Sequence, residues 1–169
     1  MKNIILIGFM GVGKGTVARA LAKDSDLFTI DTDDLIESLE NCKIKQIFEK
    51  EGEAYFRSLE QKTAYWLEKS VKNAIISTGG GFFKVKNIRD IGTIVLLDSS
   101  FEKILQRIKE HPNATKKLAK RPLFKSPQKA KEIYQEREKA YKKIADFIIN
   151  VEDKTEKEVV AKIRKKLKF

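Results

Sequence analysis

The amino-acid sequence predicts an α/β fold, a three-layer α/β/α arrangement around a mostly parallel sheet. Two observations lead to this prediction. Five short apolar runs alternate with segments whose apolar residues recur at helical spacing, which is the pattern of repeated strand–helix units. The first apolar run is followed directly by a glycine-rich segment and then by a helical pattern. The chain has 169 residues, so we expect a single domain over residues 1–169.

The predicted strands are short runs rich in β-branched residues. Runs of this kind, bounded by turn residues, are typical of strands buried in a parallel sheet. In chain order they are Ile4–Ile7, Leu27–Ile30, Ala74–Thr78, Thr93–Leu97 and Phe147–Asn150.

The predicted helices lie between these strands and after the last one. Their apolar residues recur at spacings of three and four, which places them on one helical face. These patterns cover residues 17–21, 35–39, 44–48, 56–67, 101–108, 128–144 and 159–167. Clustered glycine and proline predict irregular backbone at 8–15, 79–83 and about 111–127. The last stretch is long for a connection, which favours a lid or binding loop.

The net charge of +11 is concentrated in the second part of the chain. Residues 1–101 contain 14 cationic and 14 acidic residues, whereas residues 102–169 contain 21 and 10. This concentration indicates a local site for an anion, although a solvated lysine-rich surface would give the same composition. A uniform basic coat, which would indicate nucleic acid, is absent.

Other compositional features exclude several classes of protein. No apolar run approaches the ~20 residues that span a membrane. One cysteine and one histidine exclude an internal disulfide and multi-cysteine or paired-histidine metal sites. The first residues show no secretory signal pattern, so we expect a cytoplasmic protein.

The most specific motif lies between the first predicted strand and the first predicted helix. Residues 8–16 read Gly-Phe-Met-Gly-Val-Gly-Lys-Gly-Thr. This is a P-loop pattern, in which backbone amides face nucleotide phosphates and the lysine reaches the β- and γ-phosphates. The strand, the spacing and the lysine together disfavour a chance glycine-rich turn. The predicted nucleotide-binding residues are Gly11, Val12, Gly13, Lys14, Gly15 and Thr16.

One position departs from the P-loop pattern. The pattern has Ser or Thr directly after the lysine, where the hydroxyl contacts Mg²⁺, and here that position is Gly15. Thr16 lies one residue later, about 100° further around the helix. We therefore expect Thr16 to bond a phosphate oxygen and to be at most a weak metal ligand. Because Mg²⁺ retains water readily, we expect it to be held through water and a carboxylate.

An acidic turn follows the second predicted strand, with the sequence Ile30-Asp-Thr-Asp-Asp34. Residues at the carboxyl end of a parallel strand face the same crevice as the P-loop. Asp31 and Asp33 alternate, so in extended backbone they would share one face. One could hold a metal-bound water while the other receives a substrate hydroxyl. Capping of the next helix by Asp33 or Asp34 is the alternative.

Further candidate residues are scattered along the chain. Arg57 and Glu60 are three apart on a predicted helix, so Glu60 could orient the guanidinium, or the two could form an ordinary surface ion pair. Gly79–Gly81 follow the third strand and would let a ligand approach the main chain. Arg121, in the basic segment, is placed to act as an arginine finger. Arg137 alone would pass as a solvated helix residue.

These pieces, in this order, resemble shikimate kinase. The shared motifs are Gly-Phe-Met-Gly-Val-Gly-Lys, Asp31-Thr-Asp33, Gly-Glu-x-x-Phe-Arg57-x-x-Glu60, Ser-Thr-Gly79-Gly80-Gly81, Arg121-Pro-Leu, and Arg137-x-x-x-Tyr141 followed by Ala145-Asp146. The resemblance implies phosphorylation of the 3-hydroxyl of shikimate by ATP, in aromatic amino acid biosynthesis. It also implies a nucleoside-monophosphate-kinase-like fold with strand order 2-3-1-4-5, a substrate-binding helical region (about 33–60) and a lid (about 111–125).

The resemblance assigns roles on the substrate side of the site. Asp33 would bind the substrate hydroxyls, and we take it as the candidate proton acceptor. Arg57 and Arg137 would clamp the carboxylate, which suits the guanidinium fork. Gly79 and Gly80 would contribute backbone contacts.

On the nucleotide side, the resemblance implies that Asp31 assists Mg²⁺ and that Arg121 closes on the ATP phosphates. Lys14 and Arg121 then neutralise charge during phosphoryl transfer, and Arg107 is a candidate adenine contact. We expect a monomer that uses ATP and shikimate, with neither nucleic acid nor membrane as partner.

Two other functions share some of these sequence features. A nucleoside monophosphate kinase is a close rival because Gly-Lys-Gly-Thr also resembles adenylate kinase, but the Asp31/Asp33 pair and the triple glycine argue against it. A P-loop protein that binds nucleic acid would use the +11 charge, yet the sequence has no basic groove interleaved with aromatic residues.

Overall fold

The computed structural model describes residues 2–119 and 122–169. These residues form a five-stranded sheet in the order β2-β3-β1-β4-β5, and every strand pairing is parallel. Both the α/β class predicted from the sequence and the strand order implied by the resemblance are confirmed. No helix in these two ranges is both long and apolar enough to cross a membrane.

The elements alternate along the chain as the sequence patterns predict. The strands are β1 (Asn3–Ile7), β2 (Phe28–Asp31), β3 (Ala74–Ser77), β4 (Gly92–Asp98) and β5 (Phe147–Asn150). The α-helices are α1 (Lys14–Lys23), α2 (Thr32–Glu40), α3 (Ile44–Ser70), α4 (Ile88–Ile91), α5 (Phe101–Glu110), α6 (Ala114–Ala119), α7 (Pro127–Ile144) and α8 (Glu156–Leu167). Short 3₁₀ helices cover Phe82–Lys84 and Pro122–Lys125.

The core lies around β1, whose five residues are all buried. Its first residue, Asn3, is polar and 1% exposed, and its side chain bonds three backbone groups. The amide nitrogen donates to the carbonyls of Val71 and Ile91, and the oxygen accepts from the N–H of Ala74. These bonds satisfy the buried amide and fix the amino-terminal end of the sheet.

Two segments differ from the predictions. The stretch 111–127 is not irregular throughout, because α6 and a 3₁₀ helix lie within it. Between Pro112 and Pro122 the chain contains neither glycine nor proline, so a short helix fits between them. The helical patterns on either side of Gly52 join in α3, which is kinked at that glycine (φ 83°, ψ 175°).

The topology brings three loops to one rim of the sheet. Strands β2, β3 and β1 are adjacent and parallel, with Leu6 and Asp31 both paired with Ser77. Their carboxyl ends therefore coincide, and the loops that follow them meet there. Thr78 ties two of these ends together, since its hydroxyl donates to the carbonyl of Leu6 at 2.9 Å.

Candidate active site

The loop after β1 has the geometry of a phosphate-binding loop. Gly13 has a φ of 103° and precedes α1, whose first turn has no side-chain cap. The amides of that turn are therefore directed toward a ligand at the loop. Lys14 is 8% exposed, and its Nζ donates to the carbonyls of Gly8 (2.6 Å) and Phe9 (3.1 Å). The structure thus places the lysine inside the loop.

The phosphate loop packs closely against α5. A Cβ atom on Gly11 would lie 2.6 Å from Cδ1 of Ile108, and one on Gly13 would lie 2.7 Å from Nη2 of Arg107. The guanidinium of Arg107 therefore rests on the loop. This position suits a contact with a phosphate at least as well as the adenine contact expected from the resemblance.

The side chains of Phe9 and Val12 hold the loop on the core, and both are 2% exposed. Phe9 makes edge-to-face contacts with Phe101, Phe124 and Tyr134, with ring centroids 5.4–6.3 Å apart. The N–H of Val12 donates to the Phe9 carbonyl at 3.2 Å. The N–H of Val12 is thus used within the loop itself. Gly15 and Thr16 follow in the first turn of α1 and are half-buried.

The acidic turn differs from the prediction. Asp31 ends β2, but α2 begins at the next residue, so Asp31 and Asp33 do not share a face of extended backbone. Instead Asp31 caps α2, with its Oδ1 accepting from the N–H groups of Asp33 (2.9 Å) and Asp34 (3.2 Å). The predicted caps, Asp33 and Asp34, lie inside the first turn. Capping by Asp31 is favourable because its charge also meets the positive end of the helix dipole.

Asp33 occupies an unusual environment for a carboxylate. Its Oδ1 is buried and has no hydrogen-bond partner within residues 2–119 and 122–169. Burial, and then the charges of Asp31 and Glu60, raise the pKa of Asp33 to about 7, although Lys14 opposes the rise. A carboxyl with this pKa can both hold and release a proton near neutral pH, as a general base requires.

The triple glycine after β3 forms a surface on which three charged side chains rest. A Cβ atom on Gly79 would lie 2.6 Å from Oδ1 of Asp33, and one on Gly80 would lie 2.9 Å from Nη1 of Arg137. A Cβ on Gly81 would collide with Nη1 of Arg57. The missing side chains thus bring one carboxylate and two guanidinium groups onto three consecutive residues.

The backbone of this triple glycine is partly used within the protein. The N–H of Gly79 donates to Oγ1 of Thr32 at 3.1 Å, and its carbonyl accepts from Phe82. The carbonyl of Gly80 accepts from the hydroxyl of Tyr141 at 2.6 Å. Of the two predicted backbone contacts with substrate, Gly80 therefore has the better placed N–H.

The pair Arg57 and Glu60 is not an ordinary surface ion pair, because Glu60 is only 2% exposed. Arg57 donates from Nη1 to Oε2 of Glu60 at 2.7 Å, and from Nη2 to Glu53 at 3.1 Å. Oε1 of Glu60 is buried and without a partner in the described part of the chain. Burial raises the pKa of Glu60, which the hydrogen bond and charge of Arg57 oppose. Glu60 therefore orients the guanidinium.

Arg137 lies beside a residue whose role sequence reasoning did not identify. Tyr141 lies one turn later on α7, is 4% exposed and packs edge-to-face on Phe83. Its hydroxyl donates to the carbonyl of Gly80 at 2.6 Å, and Nη1 of Arg137 lies over the same glycine. Burial raises the pKa of Tyr141 to about 12, which the charge of Arg137 opposes. The spacing of four residues within one helix was the available signal.

The donors at this rim suit Mg²⁺ held mainly by phosphates and water. No group of three or more Asp, Glu, His or Cys residues in 2–119 and 122–169 could hold a metal. Oδ1 of Asp31 is engaged by α2, which leaves Oδ2, and Gly15 has no hydroxyl. Mg²⁺ commonly binds through one or two carboxylates, substrate phosphates and retained waters. A divalent metal bound in that way fits these donors, with Asp31 and Thr16 as the available residues.

The remaining predicted site residue, Arg121, lies outside the described residues. The rest converge on one rim: a phosphate loop after the central strand, and a cluster of one carboxylate and two guanidinium groups beside it. This combination of fold and site defines a P-loop kinase that acts on a small anionic acceptor.

Comparisons with known proteins identify the family. The model of the shikimate kinase family matches residues 10–168. A shikimate kinase of Helicobacter hepaticus is 43% identical over 150 residues, covering 89% of this chain and 87% of the relative. The crystal structure of shikimate kinase from Aquifex aeolicus is 38% identical, with a TM-score of 0.80 over 98% of this chain and 96% of that one.

A further structure of the same fold was solved with a ligand bound. It is shikimate kinase from Acinetobacter baumannii in complex with shikimate, 31% identical, with a TM-score of 0.86 over 99% of this chain and 94% of that one. The chain belongs to the shikimate kinase family. The activity is that of this family, the phosphorylation of shikimate by ATP in aromatic biosynthesis, and not that of a nucleoside monophosphate kinase or a nucleic-acid-binding protein.

Proposed function

We propose that this chain transfers the γ-phosphoryl group of ATP to the 3-hydroxyl of shikimate, with Asp33 as the proton acceptor. The observation that carries the proposal is the triple-glycine surface, where Asp33, Arg57 and Arg137 rest on consecutive residues beside the phosphate loop. A hydroxylated carboxylic acid matches this cluster, because its hydroxyl groups can bond the carboxylate of Asp33 and its carboxylate can bond the two guanidinium groups.

The two guanidinium groups bind the carboxylate of the acid. Arg57 and Arg137 rest on neighbouring glycines, whose Cα atoms are about 3.8 Å apart, so both forks can reach one carboxylate. Charge-assisted bonds of this kind are strong and directional. Glu60 holds Arg57 in place before the acid arrives, which lowers the entropic cost of binding. Tyr141 fixes Gly80, the glycine against which Arg137 rests. The N–H of Gly80 gives a backbone contact.

Asp33 orients the reacting hydroxyl and takes its proton. The hydroxyl oxygen forms a bond to the γ-phosphorus while the bond between that phosphorus and the β–γ bridging oxygen breaks, and ADP leaves. The proton moves to the buried carboxylate of Asp33, whose pKa of about 7 suits the transfer. The acceptor oxygen is thereby prevented from carrying a full positive charge.

Phosphoryl transfer mainly requires alignment and neutralisation of charge. Lys14, the amides at the start of α1 and Arg107 supply positive potential at the loop. Arg121 is proposed to close on the same phosphates. Mg²⁺, when bound with ATP, supplies further neutralisation; Asp31, through water, and Thr16 would hold it.

The remaining predictions belong to the same proposal. Residues 1–169 act as one domain and as a monomer in the cytoplasm, with neither nucleic acid nor membrane as partner. The region 33–60, which contains α2 and the first part of α3, holds the acid. The segment 111–125 closes over bound ATP as a lid and excludes water, which suppresses hydrolysis.

An ADP-release assay with four acceptor conditions tests the proposal: shikimate, AMP, gluconate and no acceptor. We expect turnover with shikimate alone. Turnover with AMP and none with shikimate would contradict the assignment of the acceptor. Asp33→Asn should lose most of the turnover while ADP binding is retained, and turnover at the wild-type rate would remove Asp33 from the mechanism.

A further inference from the structure

The space left by the missing side chain at residue 15 is occupied by another residue of α1. Nη1 of Arg19 lies 3.3 Å from the position that a Cβ atom on Gly15 would take, and Oγ of Ser77 lies 4.0 Å from it on the β3 side. Helical side chains lean toward the helix N-terminus. Arg19, four residues after Gly15, therefore extends back over the first turn to the phosphate loop.

The fold itself does not require glycine at position 15. Its φ is not among the positive values in the chain, and the nearest neighbour of an added Cβ is the movable end of Arg19. A serine would be accommodated by a small shift of the guanidinium. Neither backbone conformation nor packing therefore explains the glycine, and the explanation lies in what the site binds.

The guanidinium of Arg19 is placed where a cation is unfavourable without a bound anion. It lies at the positive end of the α1 dipole and close to the loop that contains Lys14. Arg19 forms no ion pair with the carboxylates of residues 2–119 and 122–169. Burial raises the pKa of Asp34, which Lys43 and Arg19 oppose only as minor contributions. No carboxylate in the described part of the chain therefore contacts this guanidinium directly, and a bound phosphate would supply such a contact.

We propose that Arg19 is a further nucleotide-binding residue, whose guanidinium contacts the phosphate tail through the gap at Gly15. A serine at residue 15 would offer one hydroxyl to the metal, whereas an arginine offers two parallel N–H donors and a full charge to phosphate oxygens. The affinity of this chain for the nucleotide should consequently depend less on the divalent metal than it would if residue 15 carried a metal-ligating hydroxyl. The inference rests on the proposed use of ATP.

Equilibrium binding of ADP, measured by calorimetry in EDTA and again in Mg²⁺, tests this inference without catalysis. In EDTA, Arg19→Ala and the uncharged, similarly sized Arg19→Gln should each raise the Kd about tenfold, the effect of one charge-assisted bond. Arg19→Lys should recover part of the affinity. In Mg²⁺ the losses should be smaller. Arg89→Ala is the matched control, an exposed arginine on α4 before the amino end of β4, and should bind as wild type.

Gly15→Ser tests the same idea from the other side. The new side chain should push the guanidinium away, weaken ADP binding in EDTA and increase the gain in affinity on adding Mg²⁺. An unchanged response to Mg²⁺ would contradict the inference.

The inference is also overturned if Arg19→Ala binds ADP in EDTA within twofold of wild type. A purely structural role would show as a lower melting temperature of the nucleotide-free variant with an unchanged Kd; we expect an equal or higher melting temperature. If the inference fails in this way but the wild-type protein still binds ADP and releases ADP only with shikimate, the proposed function remains intact. If wild type shows neither, the proposed function itself fails.

Discussion

Asp33 should reduce the stability of the protein above neutral pH, so Asp33→Asn should be more stable than wild type. The folded-state pKa of this carboxyl is raised from 3.8 to about 7, so the folded protein binds the proton more tightly than the unfolded chain does. The contribution of this protonated carboxyl to the free energy of unfolding is therefore complete below pH 3.8, and it is lost as the pH rises to about 7. Asparagine has a similar shape and does not ionise.

The size of the effect follows from the raised pKa. Each pKa unit corresponds to 1.36 kcal/mol, so a pKa raised from 3.8 to about 7 gives Asp33→Asn an advantage in unfolding free energy of up to ~4 kcal/mol at pH 8. At pH 5 the carboxyl is still protonated in the folded protein but mostly ionised in the unfolded chain. The expected advantage of Asp33→Asn in unfolding free energy is then about 2 kcal/mol. The difference between the two pH values is more informative than either value, because other effects of the substitution cancel in it.

Urea unfolding of wild type and Asp33→Asn at pH 5 and pH 8 measures this difference. The exposed Asp90, on α4, gives a matched control, since Asp90→Asn should show almost no pH-dependent change. An Asp33→Asn variant that is no more stable at pH 8 than wild type, or whose advantage is the same at both pH values, would refute the reasoning.

The other predictions concern catalysis. First, kcat/KM for shikimate should fall below pH 7, to about a tenth of its plateau at pH 6, because protonated Asp33 accepts no proton; initial rates of ADP release measure this. Second, Arg57→Ala and Arg137→Ala should each raise the KM for shikimate at least about tenfold, since a charge-assisted bond is lost, with little change in the KM for ATP. Third, Tyr141→Phe removes the 2.6 Å bond to Gly80 and should raise the KM for shikimate about fivefold, the value of one hydrogen bond.

Matched controls and contradicting results are available for each. A flat pH profile between 6 and 8 would remove Asp33 as the titrating base. Arg89→Ala should leave both KM values unchanged. If Arg57→Ala or Arg137→Ala also left the KM for shikimate unchanged, that arginine would not bind the carboxylate. Tyr65→Phe, at an exposed tyrosine on α3, controls for the hydroxyl deletion. A Tyr141→Phe enzyme with wild-type KM values would limit Tyr141 to packing.

The fold could be predicted from the sequence because its central elements are locally encoded. The run Ile4–Ile7 is apolar at every position and is buried at every position, so burial and pattern agree. The stretch 111–127 contains three prolines, which predicted irregular backbone throughout, whereas α6 (Ala114–Ala119) lies between the first two of them. Glycine and proline identify where the chain changes direction more reliably than they exclude a short helix.

The sequence predicted that several of these residues would meet at one rim of the sheet, but it did not predict how their side chains are arranged there. Asp31, Thr32 and Asp33 were read as extended backbone, but α2 begins within them once Asp31 caps it. The triple glycine predicts close approach of a ligand to the main chain, whereas in the structure the side chains of Asp33, Arg137 and Arg57 pack against it. These contacts join residues distant in sequence, so no local pattern contains them. Arg19, by contrast, lies four residues after Gly15 on the same helix, so helical spacing was the available signal for that contact.

The central claim is that the triple-glycine surface presents Asp33 to a hydroxyl and the two arginines to a carboxylate of one bound acid. A crystal structure with shikimate and a non-hydrolysable ATP analogue tests it most directly. The account predicts the 3-hydroxyl oxygen within about 3 Å of a carboxylate oxygen of Asp33 and in line with the terminal phosphorus, with the carboxylate between Arg57 and Arg137. Shikimate bound in the reverse orientation, or with its hydroxyls away from Asp33, would contradict the account.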